Sequence, residues 1–167
     1  MVEFDIFTNA FLNKITSFDY ANMEEADFTE QADLFMLAVC AEFDRIFRVR
    51  LGLSFADRDT EQRVFNWDFP TYEEQVAKGR LRCDYISLDE VVDIISEGMV
   101  LKWMKSYLYS GDTLGAGNLL QTRDYTVHSP SSFLSAMNSI YKTTEERYKQ
   151  LIFDFSYNHA NLRSLHM

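Results

Sequence analysis

The segment 87–109 constrains the fold more than any other, because no helix with its pattern can lie at a surface. Ser87-Leu-Asp-Glu90 has the Ser-x-x-Glu spacing that satisfies free amide donors at a helix start. The helix it opens carries Leu88, Val91, Val92, Ile94, Ile95, Met99, Val100, Leu101, Trp103, Met104, Tyr107 and Leu108. These wrap most of the way round, so the helix is central in its own subunit or sandwiched between subunits. Gly98 in its interior costs about 1 kcal/mol relative to Ala, which points to a close approach of another helix there.

Two further long helices are expected around it. Asp27 followed by Glu30 reads as an N-cap with its reciprocal acid, opening a helix over 27–50. Arg45, Arg48 and Arg50 fall in its last turns, where positive charge complements the helix dipole, and Gly52 ends it. The third helix, over 130–157, starts with Ser129 as cap and Pro130 in the first turn. Leu134, Met137, Tyr141, Thr144, Tyr148, Leu151 and Phe155 recur along it at spacings of three and four, a stripe of about three heptads. A helix packed on its own core is the favoured reading of that stripe over a coiled-coil seam. A shorter helix over 3–16 places Phe4, Phe7, Phe11 and Ile15 on one side. With only two Pro and six Gly in 167 residues, a loop-rich sandwich is disfavoured. The expected fold is therefore mainly α, a bundle of about three long helices forming one domain.

Residues 53–86 are the exception. In Arg63–Phe69 the residues Phe65, Trp67 and Phe69 alternate with Asn66 and Asp68, the period of an extended strand with an aromatic face. Tyr72–Ala77 adds one or two helical turns before Gly79. This stretch is expected to be an arm lying along a neighbouring molecule. Phe65, Trp67 and Phe69 are then interface candidates. The C-terminal tail gives a second set: Phe153, Phe155, Tyr157, His159, Leu162, Arg163 and Leu165, in which large apolar anchors alternate with polar groups. The region 153–167 is expected to dock on a partner and to stay outside the core.

Charge narrows the partners. The chain carries a formal net charge of −10, which disfavours phosphate binding. Residues 1–44 hold ten acids against Lys14 alone, a local charge of −9. A solvated acidic face is the ordinary reading. The sharper one is a surface for a basic partner, or a lumen through which nucleic acid passes without sticking. No stretch reaches the roughly 18 apolar residues of a membrane span, and the N-terminus lacks the pattern of a signal peptide. An intracellular chain with no membrane partner is expected.

The search for chemistry returns no signature. Cys40 sits in an apolar run and reads as a core residue, and Cys40 with Cys83 forms no metal spacing. Gly111–Gly117 lacks the Lys-Ser/Thr of a phosphate loop. His128, His159 and His166 have no ligand spacing, and a dispersed site would have to use unmarked residues such as Asp124 and His128. No catalytic residue, metal or cofactor is assigned. Adjacent acids such as Glu145 and Glu146 do not face each other across a cleft.

From about Gln62 to the end, the order of segments resembles the head–tail connector (adaptor, or neck) proteins of tailed bacteriophages. The resemblance is carried by RVFNWDFPTYEEQ, then DEVVDIISEGMVLKWMKSYL with Glu97, Gly98, Met99, Val100 and Trp103, then a glycine-containing loop. A helix opened by Ser129, Pro130 and Ser131 follows, ending in the aromatic patch Phe153, Phe155 and Tyr157. These are packing patterns, and the acidic first third has no counterpart. The resemblance implies a structural virion protein, made in the host cytoplasm and placed in the neck of the particle. It would form a ring with itself, commonly a dodecamer, between the portal protein and a downstream neck or tail protein, with DNA only as passing cargo. Two other classes compete: an acidic DNA mimic or inhibitor, resting on the charge of residues 1–44, and an enzyme with a dispersed site.

Overall fold

Residues 1–15, 25–80, 84–109 and 130–159 are described by a computed structural model of the chain. Helix dominates the described residues, which makes the fold mainly α. The described helices are α1 (Phe4–Ile15), α2 (Glu25–Leu51), α3 (Tyr72–Ala77), α4 (Leu88–Tyr109) and α5 (Pro130–Asn158). Three two-residue strands, β1 (Val2–Glu3), β2 (Arg58–Asp59) and β3 (Val64–Phe65), form an antiparallel sheet in the order β1-β3-β2.

Helix α4 lies at the centre, against α1, α2 and α5. Of its apolar side chains Val91, Ile94, Ile95, Met99 and Met104 are buried and Leu88, Val92, Val100, Leu101 and Trp103 half-buried, while those of Tyr107 and Leu108 lie outside the described residues. Ser87 begins it as expected, its Oγ accepting from Glu90 N at 3.1 Å. Gly98 has the role its position implies. A Cβ there would lie 2.6 Å from Val39 Cγ1 of α2 and 2.9 Å from Tyr148 Cε2 of α5. Both are closer than real carbon atoms approach, so three helices share this point only because the residue has no side chain.

The other helices pack as their stripes imply. Phe4, Phe7, Phe11 and Ile15 of α1 are all buried, as is Cys40 of α2. On α5, Tyr148 and Phe155 are buried and Tyr141, Thr144 and Leu151 half-buried, so the heptad-like stripe from Tyr141 on faces the chain's own core; the side chains of Leu134 and Met137 lie outside the described residues. Helix α2 begins at Glu25, so Asp27 falls inside its first turn and is not its cap; the Asp27 side chain lies outside the described residues. Ser129, the loop with Gly111–Gly117, and Asp124 and His128 also lie outside them. Gly52, at φ 71°, closes α2 by donating to Arg48 O at 2.8 Å. The left-handed turn suits a residue without Cβ.

The expectation of an arm reaching to a neighbour is corrected. The aromatic alternation is real, with Phe65 and Trp67 buried while Asn66 and Asp68 are exposed. That aromatic face turns onto the chain's own core. Phe65 meets Phe4 (ring centroids 4.8 Å) and Phe55 (5.2 Å). Phe55 stacks on Phe47 (4.2 Å), and Phe43 meets Phe155 of α5 (5.1 Å). Aromatic pairs of this kind contribute roughly 0.5–1.5 kcal/mol each beyond the area they bury. Phe69 packs half-buried against the same cluster.

Polar fastenings hold the region down. Gln75 is buried, donates from Nε2 to Pro70 O (3.1 Å) and Ile86 O (2.7 Å), and accepts from Ile86 N (3.0 Å). Asp44 of α2 accepts from Ser54 Oγ (2.9 Å) and Phe55 N (2.7 Å) and pairs with Arg48. Burial works to raise the Asp44 carboxyl, but these donors outweigh it and hold it below its ordinary value.

Arg63, in the turn between β2 and β3, sits in the left-handed region at φ 54°. For a residue with a Cβ that costs about 1–2 kcal/mol. The compensation is a fork onto Asp33 of α2, Nε to Oδ2 at 2.7 Å and Nη2 to Oδ1 at 2.8 Å, with Nη1 on Asp5 of α1 at 2.7 Å. Its carbonyl also accepts from Phe4 N at 2.9 Å.

Two substitutions test this packing. Gly98→Ala should lower the unfolding free energy by roughly 1–3 kcal/mol through overpacking, despite a helix-propensity gain of about 1 kcal/mol. In urea titrations the double variant Gly98→Ala/Val39→Ala should lose less than the two single variants together. Arg63→Ala should cost roughly 1–3 kcal/mol, the scale of a charged hydrogen-bonding partner removed from a partly buried site. Arg63→Lys should fall between, because an ammonium keeps the charge and loses the fork.

Candidate functional site

The last turns of α5 and the residue that follows it hold four of the residues singled out above, and helical geometry divides them. At 3.6 residues per turn, positions four apart share a face and positions two apart oppose each other. Phe155 and His159 therefore point one way, Phe153 and Tyr157 the other. Phe155 is fully buried, 5.1 Å from Phe43 and 5.0 Å from the His159 ring. Phe153 and Tyr157 are 63% and 73% exposed. They stack on each other with centroids 6.1 Å apart and planes 9° from parallel. The expectation that the whole stretch from Phe153 docks outside the core is thus corrected: Phe155 and His159 are core residues, because an alternating pattern on a helix cannot keep one face. Leu162, Arg163 and Leu165 lie outside the described residues.

Arginines and acids fasten the inner side of this helix end. Arg50 of α2 donates from Nη2 to Ser156 O at 2.7 Å, the favourable place for a cation at a helix C-terminus. Arg80 donates to Arg50 O and, from Nη1, to Asp84 O at 3.2 Å. Burial and the neighbouring Arg50 pull the Arg80 pKa down against the opposing effect of Asp84. His159 lies in the same knot. Its Nδ1 is 3.2 Å from Asp84 O, and its Nε2 is 3.1 Å from both Glu90 carboxylate oxygens.

A histidine beside a carboxylate is half of a common proton-transfer arrangement. Here the other ring nitrogen is taken up by a backbone carbonyl and the side chain is only 7% exposed, so the contacts read as a fastening. Cys40 is equally closed off, since burial pushes its thiol well up, away from the reactive thiolate. Among the described residues no three His, Cys, Asp or Glu side chains group as metal ligands. None of the described helices is long and apolar enough to cross a membrane.

Four of the ten acids in residues 1–44 are paired among the described residues. Arg63 holds Asp5 and Asp33, Lys102 of α4 meets Glu42, and Arg48 meets Asp44. In the other direction, Lys14 bridges Asp93 (2.6 Å) and the buried Glu97 (2.9 Å) of α4, and Arg147 of α5 approaches Glu97 at 3.7 Å. Other exposed large apolar side chains among the described residues are Met1, Ile6, Leu34, Val49, Tyr72, Tyr85 and Ile140, scattered over the rest of the chain and the earlier part of α5. The aromatic pair of α5 is the larger anchor. No family model, curated protein or solved structure matches the chain.

The two faces should separate cleanly on substitution. Phe155→Ala should cost about 3–5 kcal/mol of stability, the range for a buried Phe. Phe153→Ser with Tyr157→Ser should leave the urea midpoint nearly unchanged, within about 0.5 kcal/mol, as for other surface changes.

Proposed function

We propose that this chain is a structural assembly protein of the head–tail connector kind. It would build a ring with itself between a portal protein and a downstream neck or tail protein, extending a channel through which DNA passes. The observation that carries the reading is the exposed, stacked Phe153–Tyr157 pair on a helix whose opposite face is locked into the core by Phe155. Such a pair is two rigid aromatic anchors that lose little side-chain freedom on docking, the residue class that dominates interface energetics. An anchor on a fixed helix suits a subunit whose task is to hold neighbours at set distances. The sequence resemblance over the last two-thirds of the chain supports the same class.

The acidic-mimic alternative is less well supported. A mimic needs ranks of exposed, unpaired carboxylates, whereas Asp5, Asp33, Glu42 and Asp44 each have a cationic partner.

Size-exclusion chromatography with light scattering, on the chain alone and mixed with its cognate portal ring, is the direct test. A ring-sized species or co-elution with the portal is expected, and Phe153→Ser/Tyr157→Ser should abolish it while the subunit stays helical. A wild-type chain of 19.6 kDa that stays monomeric alone and beside the portal would defeat the reading.

A further inference from the structure

We infer that His159 is a proton-operated fastening that fixes the last turns of α5 when the ring is charged and loosens them when it is neutral. The inference rests on counting donors and acceptors. The Asp84 carbonyl opposite Nδ1 can only accept, and the ionised Glu90 carboxylate opposite Nε2 can only accept. Both contacts are hydrogen bonds only when both ring nitrogens carry a proton, which is the imidazolium. A neutral ring has one N–H. Whichever nitrogen keeps it, the other then faces an acceptor with a lone pair, in a place too enclosed for water to take over easily. One of the two contacts must open.

The surroundings fix the sign. Glu90 comes from the first turn of α4 and is 35% exposed on its side chain, so it can stay ionised. Asp84 O is shared with Arg80 Nη1, and Arg50 occupies the neighbouring Ser156 O. Glu90 is thus the carboxylate that meets the ring, and Arg80 and Arg50 are the cations of the same knot. Phe155 meets the ring edge to face. The fastening therefore holds while both ring nitrogens carry a proton. It weakens as pH rises through the interval in which His159 loses its charge.

The consequence lies in what those turns carry. Phe153 and Tyr157 stand on the outer face of the same two turns, so His159 sets whether the aromatic pair is presented on a rigid helix end or a fraying one. That this regulates docking rests on the function proposed above. The fastening does not, and it can be tested on the isolated full-length chain.

Glu90→Gln is the discriminating substitution. A glutamine amide can accept from an Nε2–H or donate to a bare Nε2, so the contact survives either state of the ring. Amide hydrogen exchange of a peptide spanning 150–159 should be followed from about pH 5 to pH 8, where imidazoles ordinarily change charge, with correction for the intrinsic pH dependence of exchange. In the wild type, protection should fall roughly tenfold or more across the interval, the scale of one charge-assisted hydrogen bond lost. In Glu90→Gln it should be flat. Ring nitrogen shifts of the wild type, which need no variant, should change over the same interval as protection. Protection that is independent of pH in the wild type, that falls equally in Glu90→Gln, or that stays constant while the ring titrates overturns the inference.

Discussion

Three helices meet at Gly98, and the remainder of the architecture is arranged around that contact. A side chain of any size there would push α4 away from Val39 of α2 and Tyr148 of α5. Protein interiors are close-packed, so such a displacement cannot be absorbed locally. With the axes held together, Phe43 of α2 reaches Phe155 of α5, and Glu97 lies within range of both Lys14 of α1 and Arg147 of α5. The glycine that weakens α4 as an isolated helix is what makes α4 the centre of the bundle.

Charge is handled by the same arrangement. Ten acids against one lysine in residues 1–44 would repel one another if the segment stood alone. The fold brings Arg63 from the hairpin turn and Lys102 from α4 onto that acid, while Lys14 crosses to the acids of α4. Partly buried pairs of this kind need both members in place, because a lone buried charge is strongly unfavourable. Their value lies in fixing how α1, α2 and the hairpin sit on α4 more than in net stabilisation. Arg63 illustrates this: it holds a backbone conformation that is unfavourable for its residue type, with the paired acids on its side chain and Phe4 N on its carbonyl.

The end of α5 joins architecture to the proposed role. Its inner face is anchored by Phe155, by Arg50 on the Ser156 carbonyl and by His159 between Asp84 and Glu90. Its outer face presents two aromatics to solvent. The Glu90 that opens α4 is thereby tied to the far end of α5, so the start of the central helix and the end of the last one form one junction. A surface so supported can transmit position, which is what an assembly protein requires.

The sequence by itself determined the helical class, the burial stripe of α1, that α4 is covered on most sides, the meaning of Gly98 and the helical turns at Tyr72–Ala77. Each follows from local periodicity, capping or the absence of a Cβ. It also marked the extended aromatic alternation of Phe65 and Trp67 correctly. Only the tertiary structure decided where that face turns, because a period of two says that one side is apolar and not whose core it meets. The same holds for the tail aromatics. Read as an alternation they form one docking strip; placed on a helix they part, with Phe155 and His159 inward and Phe153 and Tyr157 outward. The His159–Glu90 contact had no signal at all, since Glu90 satisfies the spacing of a helix cap and nothing local announces a partner 69 residues away. Contacts between distant residues are set by how helices pack, and a single sequence carries the faces of its helices but not their partners.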